Sequence, residues 1–81
     1  MLKIYGSMQC PDCVKIREDL EKAGVAYEYL DFADSLLNLK VFLDLRDHQE
    51  VFADVKANGK IGNPCIVRED GSVTLEWDEF V

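Results

Sequence analysis

Leu2-Lys3-Ile4-Tyr5-Gly6-Ser7-Met8-Gln9-Cys10-Pro11-Asp12-Cys13 is the stretch that decides the fold. Its first four residues read as a short β-strand, ended by Gly6-Ser7. Its last four open a helix. Cys13, Ile16, Leu20 and Ala23 recur at intervals of 3, 4 and 3, which is one face of a 3.6-residue period, so residues 11–23 are predicted helical. Pro11 suits the first turn, where its missing N–H costs nothing. Gly24 suits the C-terminal cap. A C-x-x-C motif therefore falls between a strand and the start of a helix.

Working outward, residues 26–31 are predicted as a second strand, with Tyr27, Tyr29 and Asp31 alternating against Glu28, Leu30 and Phe32. A second helix is expected over 35–46, capped by Asp34 or Ser35, with Leu36, Leu39 and Leu43 along one face and Phe42 beside them. Asp47-His48 interrupts it. Residues 49–57 read as a further turn or two that bury Phe52 and Val55, ended by Asn58-Gly59. After Pro64, Cys65-Ile66-Val67-Arg68 is a strand, Asp70-Gly71 a hairpin turn, and Val73-Thr74-Leu75-Glu76 the returning strand. Strand, helix and strand at the start form a βαβ unit, so those two strands should be parallel with a right-handed crossover. The expected α/β architecture is a mixed four-stranded sheet with helices packed on it, in one domain over residues 1–81.

Composition narrows the function. The chain has 81 residues, of which 48% are hydrophobic and 31% charged, as in a globular protein. Sixteen acidic residues against nine basic ones give a net charge of −7, which disfavours nucleic acid and anionic membranes as partners. No apolar run approaches the roughly 18 residues of a membrane span, and the apolar stretch at the N-terminus is too short for a signal peptide. The expected compartment is the cytoplasm and the expected state a monomer. Three cysteines are too few for a secreted disulfide scaffold. In this context C-x-x-C reads as redox chemistry or half of a metal site.

The position of the motif favours redox. The first turn of a helix presents unpaired N–H groups and the positive end of the dipole. A thiolate at Cys10 would accept bonds from the N–H groups of Asp12 and Cys13, contacts that favour the charged form. Cys10, at the exposed end, is the expected nucleophile. Cys13, one turn inside on the core-facing stripe, is the expected buried resolving thiol. Asp12 opposes the Cys10 thiolate by like charge. Zinc would need four ligands, and Cys65, His48 and carboxylates are the only further donors. Cys65 is expected to be a small buried residue facing away from Pro64, His48 an exposed residue between helices, and Tyr5 a packing residue. Met8 and Gln9, which flank the thiol, are candidates for substrate contact. Trp77 should cover the core where no further helix follows.

Cys10-Pro11-Asp12-Cys13 opening a helix, with Gly62-Asn63-Pro64 opening a late strand, resembles the thioredoxin superfamily. The short β-α-β-α-β-β order and the stretch from Leu45-Arg46-Asp47 through Val55-Lys56-Ala57-Asn58-Gly59-Lys60-Ile61-Gly62 are similar to glutaredoxins, over roughly residues 2–76. The resemblance implies a thioredoxin-like (glutaredoxin-type) fold and a thiol–disulfide oxidoreductase acting on protein or glutathione mixed disulfides. It also implies a cis bond before Pro64, with Pro64 against Cys10 and the Asn63 backbone free to pair with an extended substrate. Pro11 and Asp12 join the substrate-binding set. No bound cofactor is expected; glutathione, as reducing co-substrate, or a thioredoxin-reductase-type enzyme would regenerate the dithiol. The rival reading is a module that binds a metal or an iron–sulfur cluster through the same C-x-x-C, which Pro11 disfavours. The chain departs from the glutaredoxin pattern at Leu75-Glu76-Trp77-Asp78-Glu79, where a Gly-Gly followed by a polar or acidic residue is common. The terminal helix is cut to at most one turn, and Ser7 or Met8 stands where a lysine often precedes the first cysteine. Residues 69–81 hold five acids and no base, a poor environment for anionic glutathione unless Lys56 or Lys60 compensates.

Overall fold

Two apolar faces of one sheet organise the chain. A computed structural model describes residues 1–81. Strand β1 (Leu2–Gly6) lies inside a four-stranded sheet of order β2-β1-β3-β4, with β2 at Tyr27–Asp31, β3 at Cys65–Val67 and β4 at Val73–Thr74. β1 pairs parallel with β2 and antiparallel with β3, and β3 pairs antiparallel with β4. Helices α1 (Pro11–Ala23), α2 (Leu36–His48) and α3 (Ala53–Ala57) flank the sheet. This is the expected mixed α/β sheet with thioredoxin-like topology. The parallel β1–β2 pair requires a crossover, and α1 supplies it.

The pleat sends alternate residues to opposite faces. On one face Leu2, Ile4 and Ile66 meet Ile16 and Leu20 of α1, with Trp77 and Phe80 packed against them. On the other, Tyr5 and Cys65 meet Phe42 of α2 and Phe52, with Leu45, Val55 and Leu75 around them. Ile4, Ile16, Leu20, Phe42, Phe52 and Ile66 are fully buried. Each contributes about 1.5–3 kcal/mol by leaving water.

Local chemistry explains the element ends. Helix α1 has the predicted bounds, with Pro11 in its first turn and Gly24 in the left-handed conformation at φ 71°. The Gly24 and Val25 amides then donate to the carbonyls of Glu21 and Leu20, closing orphan acceptors. Ser35, not Asp34, caps α2: its hydroxyl accepts from the amides of Leu37 (3.1 Å) and Asn38 (3.4 Å). Helix α2 runs through His48, two residues beyond the expected 46, before Gln49 turns extended. A 3-10 turn at Glu50–Phe52 then leads into α3. Strand β4 is shorter than expected because the Thr74 hydroxyl accepts from the Glu76 amide (3.1 Å), a local bond that competes with the ladder.

One face of α2 differs from the periodicity. Leu36 is 83% exposed and Leu43 43% exposed, while Phe42 and Leu45 take the sheet-facing side. The chain ends in a single 3-10 turn, Asp78–Phe80, in place of a terminal helix. Trp77 holds this end to α1, donating from Nε1 to Asp19 Oδ2 at 3.0 Å. Arg68 holds it to the β3–β4 hairpin through both Glu79 oxygens. No helix is long and apolar enough to cross a membrane.

Candidate functional site

The two cysteines of the motif sit at the junction of β1 and α1, where the chain leaves the sheet and starts a helix. Ser7 accepts a backbone bond from the Cys10 amide at 3.0 Å, which tightens the loop. Cys10 is the N-cap residue of α1, with extended φ −91° and ψ 120° and no side-chain cap bond. Its half-buried sulfur does not accept from the Asp12 and Cys13 amides, the contacts expected from the sequence, because it turns toward the Asn63 loop instead. The sulfur lies 3.9 Å from the Asn63 carbonyl oxygen, across a cis Asn63–Pro64 bond. Segments more than fifty residues apart thus meet at one sulfur.

Cys13 lies one turn further, fully buried. Burial pushes its thiol up to about 11, with the neighbouring Cys10 adding to the rise; the Ser7 backbone amide and the Tyr29 side chain pull the other way. Cys65 is also fully buried, in the α2-facing core beside Tyr5, and burial pushes its thiol up to about 12. Cys10 is the only one of the three with solvent access.

A groove of about 400 Å³ starts at Cys10 and is lined by Asp12, Val55, Lys60, Ile61, Gly62, Asn63, Pro64, Leu75 and Trp77. Apolar side chains form its walls, with Lys60 as the one cation and Asp12 as the one anion. Arg46 of α2 fixes the wall before Pro64: its Nε donates to the Ile61 carbonyl (2.8 Å) and its Nη2 to that of Lys60 (2.7 Å). Gly62, at φ 93°, has no room for a side chain, since a Cβ there would stand 2.8 Å from the Phe52 ring. The tight packing of Gly62 on Phe52 couples the Pro64 loop to the core.

Of the residues singled out from sequence, Cys10, Asp12, Asn63 and Pro64 line this groove, and Gln9 lines a shallower hollow beside Cys10. Pro11 is exposed at the first helical position and lines neither. Met8 is exposed as well, but its sulfur accepts from Arg17 Nη1 at 2.9 Å, tying the loop to α1. His48 lies exposed at the end of α2 beside Asp44. Nowhere do three or more His, Cys, Asp or Glu side chains come together as a metal would require.

Four residues of the site escaped the sequence reading. Gly6 is one: a Cβ there would fall 2.7 Å from Cys13 Sγ and 2.9 Å from the Tyr29 hydroxyl. A glycine closing a strand just before a buried cysteine is the signal that could have marked it. Tyr29 is the second, and its β2 alternation signalled only a half-buried side chain. Arg17, whose guanidinium carbon lies 4.5 Å from the Tyr29 ring centroid, is the third. Arg46 is the fourth, and nothing local marks it. Trp77 was expected to cover the core; it also closes the groove.

No protein-family model matches the chain, and no solved structure matches it. Over 77 residues, covering 95% of this chain and 90% of the relative, it is 39% identical to a protein of Haemophilus influenzae described only as an uncharacterized protein.

Proposed function

The chain belongs to the same family as that Haemophilus influenzae protein, and we propose that its function is glutaredoxin-like thiol–disulfide exchange through Cys10 and Cys13. The observation that carries the reading is the half-buried Cys10 sulfur at the start of α1, 3.9 Å from the Asn63 carbonyl, with Cys13 buried behind it.

The chemistry follows from the sulfurs' unequal surroundings. Cys10 thiolate attacks one sulfur of a substrate disulfide; a Cys10–substrate disulfide forms and the other substrate sulfur leaves with the electron pair and takes a proton from water. Cys13 then loses its proton to water and attacks Cys10 Sγ. The Cys10–Cys13 bond forms, the mixed disulfide breaks, and the second substrate thiolate leaves. Substrate has gained two electrons and the protein holds a disulfide. A two-electron thiol reductant, glutathione or a reductase of the thioredoxin-reductase type, restores the dithiol. The Asn63 backbone would pair with an extended substrate, while Val55, Ile61, Leu75 and Trp77 would receive an apolar neighbour of its cysteine. A groove with a single lysine is a weak anchor for the two carboxylates of glutathione, which favours protein disulfides as substrates.

The test compares the wild type, Cys10→Ser and Cys13→Ser on a glutathionylated peptide and on a protein disulfide. Loss of both activities in Cys10→Ser, with Cys13→Ser losing at least the protein-disulfide activity, is expected. Retained turnover in Cys10→Ser would remove the proposal.

A further inference from the structure

We propose that Tyr29 assists ring closure by donating its hydroxyl hydrogen bond to Cys13 as that sulfur ionises. The inference rests on the reading of Cys13 as the resolving thiol and adds the group that makes so buried a sulfur able to act.

The first observation is an unsatisfied hydroxyl. The Tyr29 oxygen is buried and has no well-formed hydrogen bond in the dithiol protein. Buried polar atoms without partners are rare and destabilising, and a phenylalanine would fill the same space without that penalty. The second observation is what the hydroxyl faces. It lies with Cys13 Sγ over the bare Cα of Gly6, both atoms crowding the place where a Cβ would stand. A neutral thiol is a weak acceptor and a thiolate a strong one. The hydroxyl is therefore poorly paired while Cys13 is protonated and well paired once it carries charge. A donor already aimed at charge that develops only during the reaction stabilises that state more than the resting one.

The surroundings keep Tyr29 a donor. Burial, and then the neighbouring Cys13, hold its hydroxyl well above the ordinary tyrosine range, so it stays protonated at working pH. The groups that face the pair are Cys10 and the Ser7 amide from the loop, Arg17 from α1, and Asp31 from β2. Arg17 lies over the ring, fixing its plane and making the O–H a stronger donor, while Asp31 acts in the opposite sense.

The step balances as written above: the Cys13 proton goes to water, Tyr29 keeps its own, and the departing substrate thiolate is reprotonated from water. A chromogenic aryl disulfide, added in one equivalent to the reduced full chain, separates the two halves. The first chromophore is released when Cys10 attacks, the second when Cys13 closes the ring. In Tyr29→Phe the first release should keep its rate. The second should slow about tenfold at pH 7, and its pH midpoint should rise by about one unit. A second phase with the wild-type rate and midpoint in Tyr29→Phe overturns the proposal while leaving the dithiol reading in place. Absence of a second phase in the wild type removes Cys13 as the resolving thiol, and the role of Tyr29 with it. If Tyr29→Phe does not fold, 3-fluorotyrosine at position 29 supplies the same shape with a more acidic hydroxyl. It should speed the second phase; an unchanged rate overturns the proposal.

Discussion

Gly6→Ala tests the packing behind the active-site loop. The new methyl carbon would stand 2.7 Å from Cys13 Sγ and 2.9 Å from the Tyr29 hydroxyl, where ordinary contact begins at 3.4 Å. Neither atom has an easy escape: Cys13 is fully buried and the Tyr29 oxygen is enclosed. The backbone has none either, because β1 is bonded on both sides, to β2 and to β3. Overpacking of this kind costs about 1–3 kcal/mol. In a domain of this size, about 2 kcal/mol corresponds to a fall in Tm of about 8–16 °C. The cause can be isolated with a double-mutant cycle in urea on the reduced protein, using wild type, Gly6→Ala, Cys13→Ala and the double variant. Removing the sulfur opens the space the methyl needs, so Gly6→Ala should cost at least about 1 kcal/mol less in the Cys13→Ala background. A penalty below about 0.5 kcal/mol in the wild-type background, or one of equal size in both, would refute the packing argument.

Other expectations follow from the same geometry. Gly62→Ala should be worse than Gly6→Ala, because a left-handed φ of 93° adds to the contact with Phe52; a Tm by circular dichroism at or above that of Gly6→Ala would count against it. Asp12→Asn should raise the rate of Cys10 alkylation at neutral pH roughly threefold by removing a like charge from the helix start, an effect that shrinks with added salt; an unchanged or slower rate would oppose this. Stability of the reduced protein should fall with rising pH. The buried thiols ionise near 9 when unfolded but at about 11 (Cys13) and about 12 (Cys65) when folded, so their stabilisation is complete below pH 9 and is lost as pH rises toward those values. Each thiol contributes a slope of about 1.4 kcal/mol per pH unit in its window, and Cys65→Ala should flatten the curve measured by urea titration. Arg46→Ala should free the Lys60-Ile61 wall and slow disulfide reduction without altering Cys10 alkylation, since the Arg46 guanidinium hydrogen-bonds to the two carbonyls of that wall and makes no bond to Cys10.

Much of the architecture was legible because its signals are local. Helix α1 matched to the residue: Pro11, the 3-4-3 spacing and Gly24 each act within one or two turns. The Asp70-Gly71 hairpin turned as expected, with Gly71 at φ 89° and the Asp70 carboxylate accepting from Ser72. Helix α2 was legible as a helix but not in its rotation. Leu36, Leu37, Val41 and Leu43 stand among Lys40, Asp44 and Asp47 while Leu39, Phe42 and Leu45 lie on the other side, so apolar residues ring the helix and more than one stripe fits the period. Packing chose the side with Phe42, which meets Phe32 at 4.6 Å and Phe52 at 5.9 Å between ring centroids.

The candidate site divides in the same way. Which cysteine is exposed and which is buried could be read from a run of four residues, because one helical turn sets their relative orientation. That Asn63 and Pro64 stand against Cys10, that Lys60, Leu75 and Trp77 wall a groove beside it, and that a tyrosine hydroxyl faces the inner sulfur are products of the sheet. Order β2-β1-β3-β4 sets β2 and β3 on opposite sides of β1, so Tyr29 from one side and Asn63-Pro64 from the other converge where β1 ends at the cysteine loop. Backbone propensity acts over a few residues and is written along the chain. Contacts between distant side chains depend on how helices rotate and strands register to exclude water, and that choice is made only when all of them pack together.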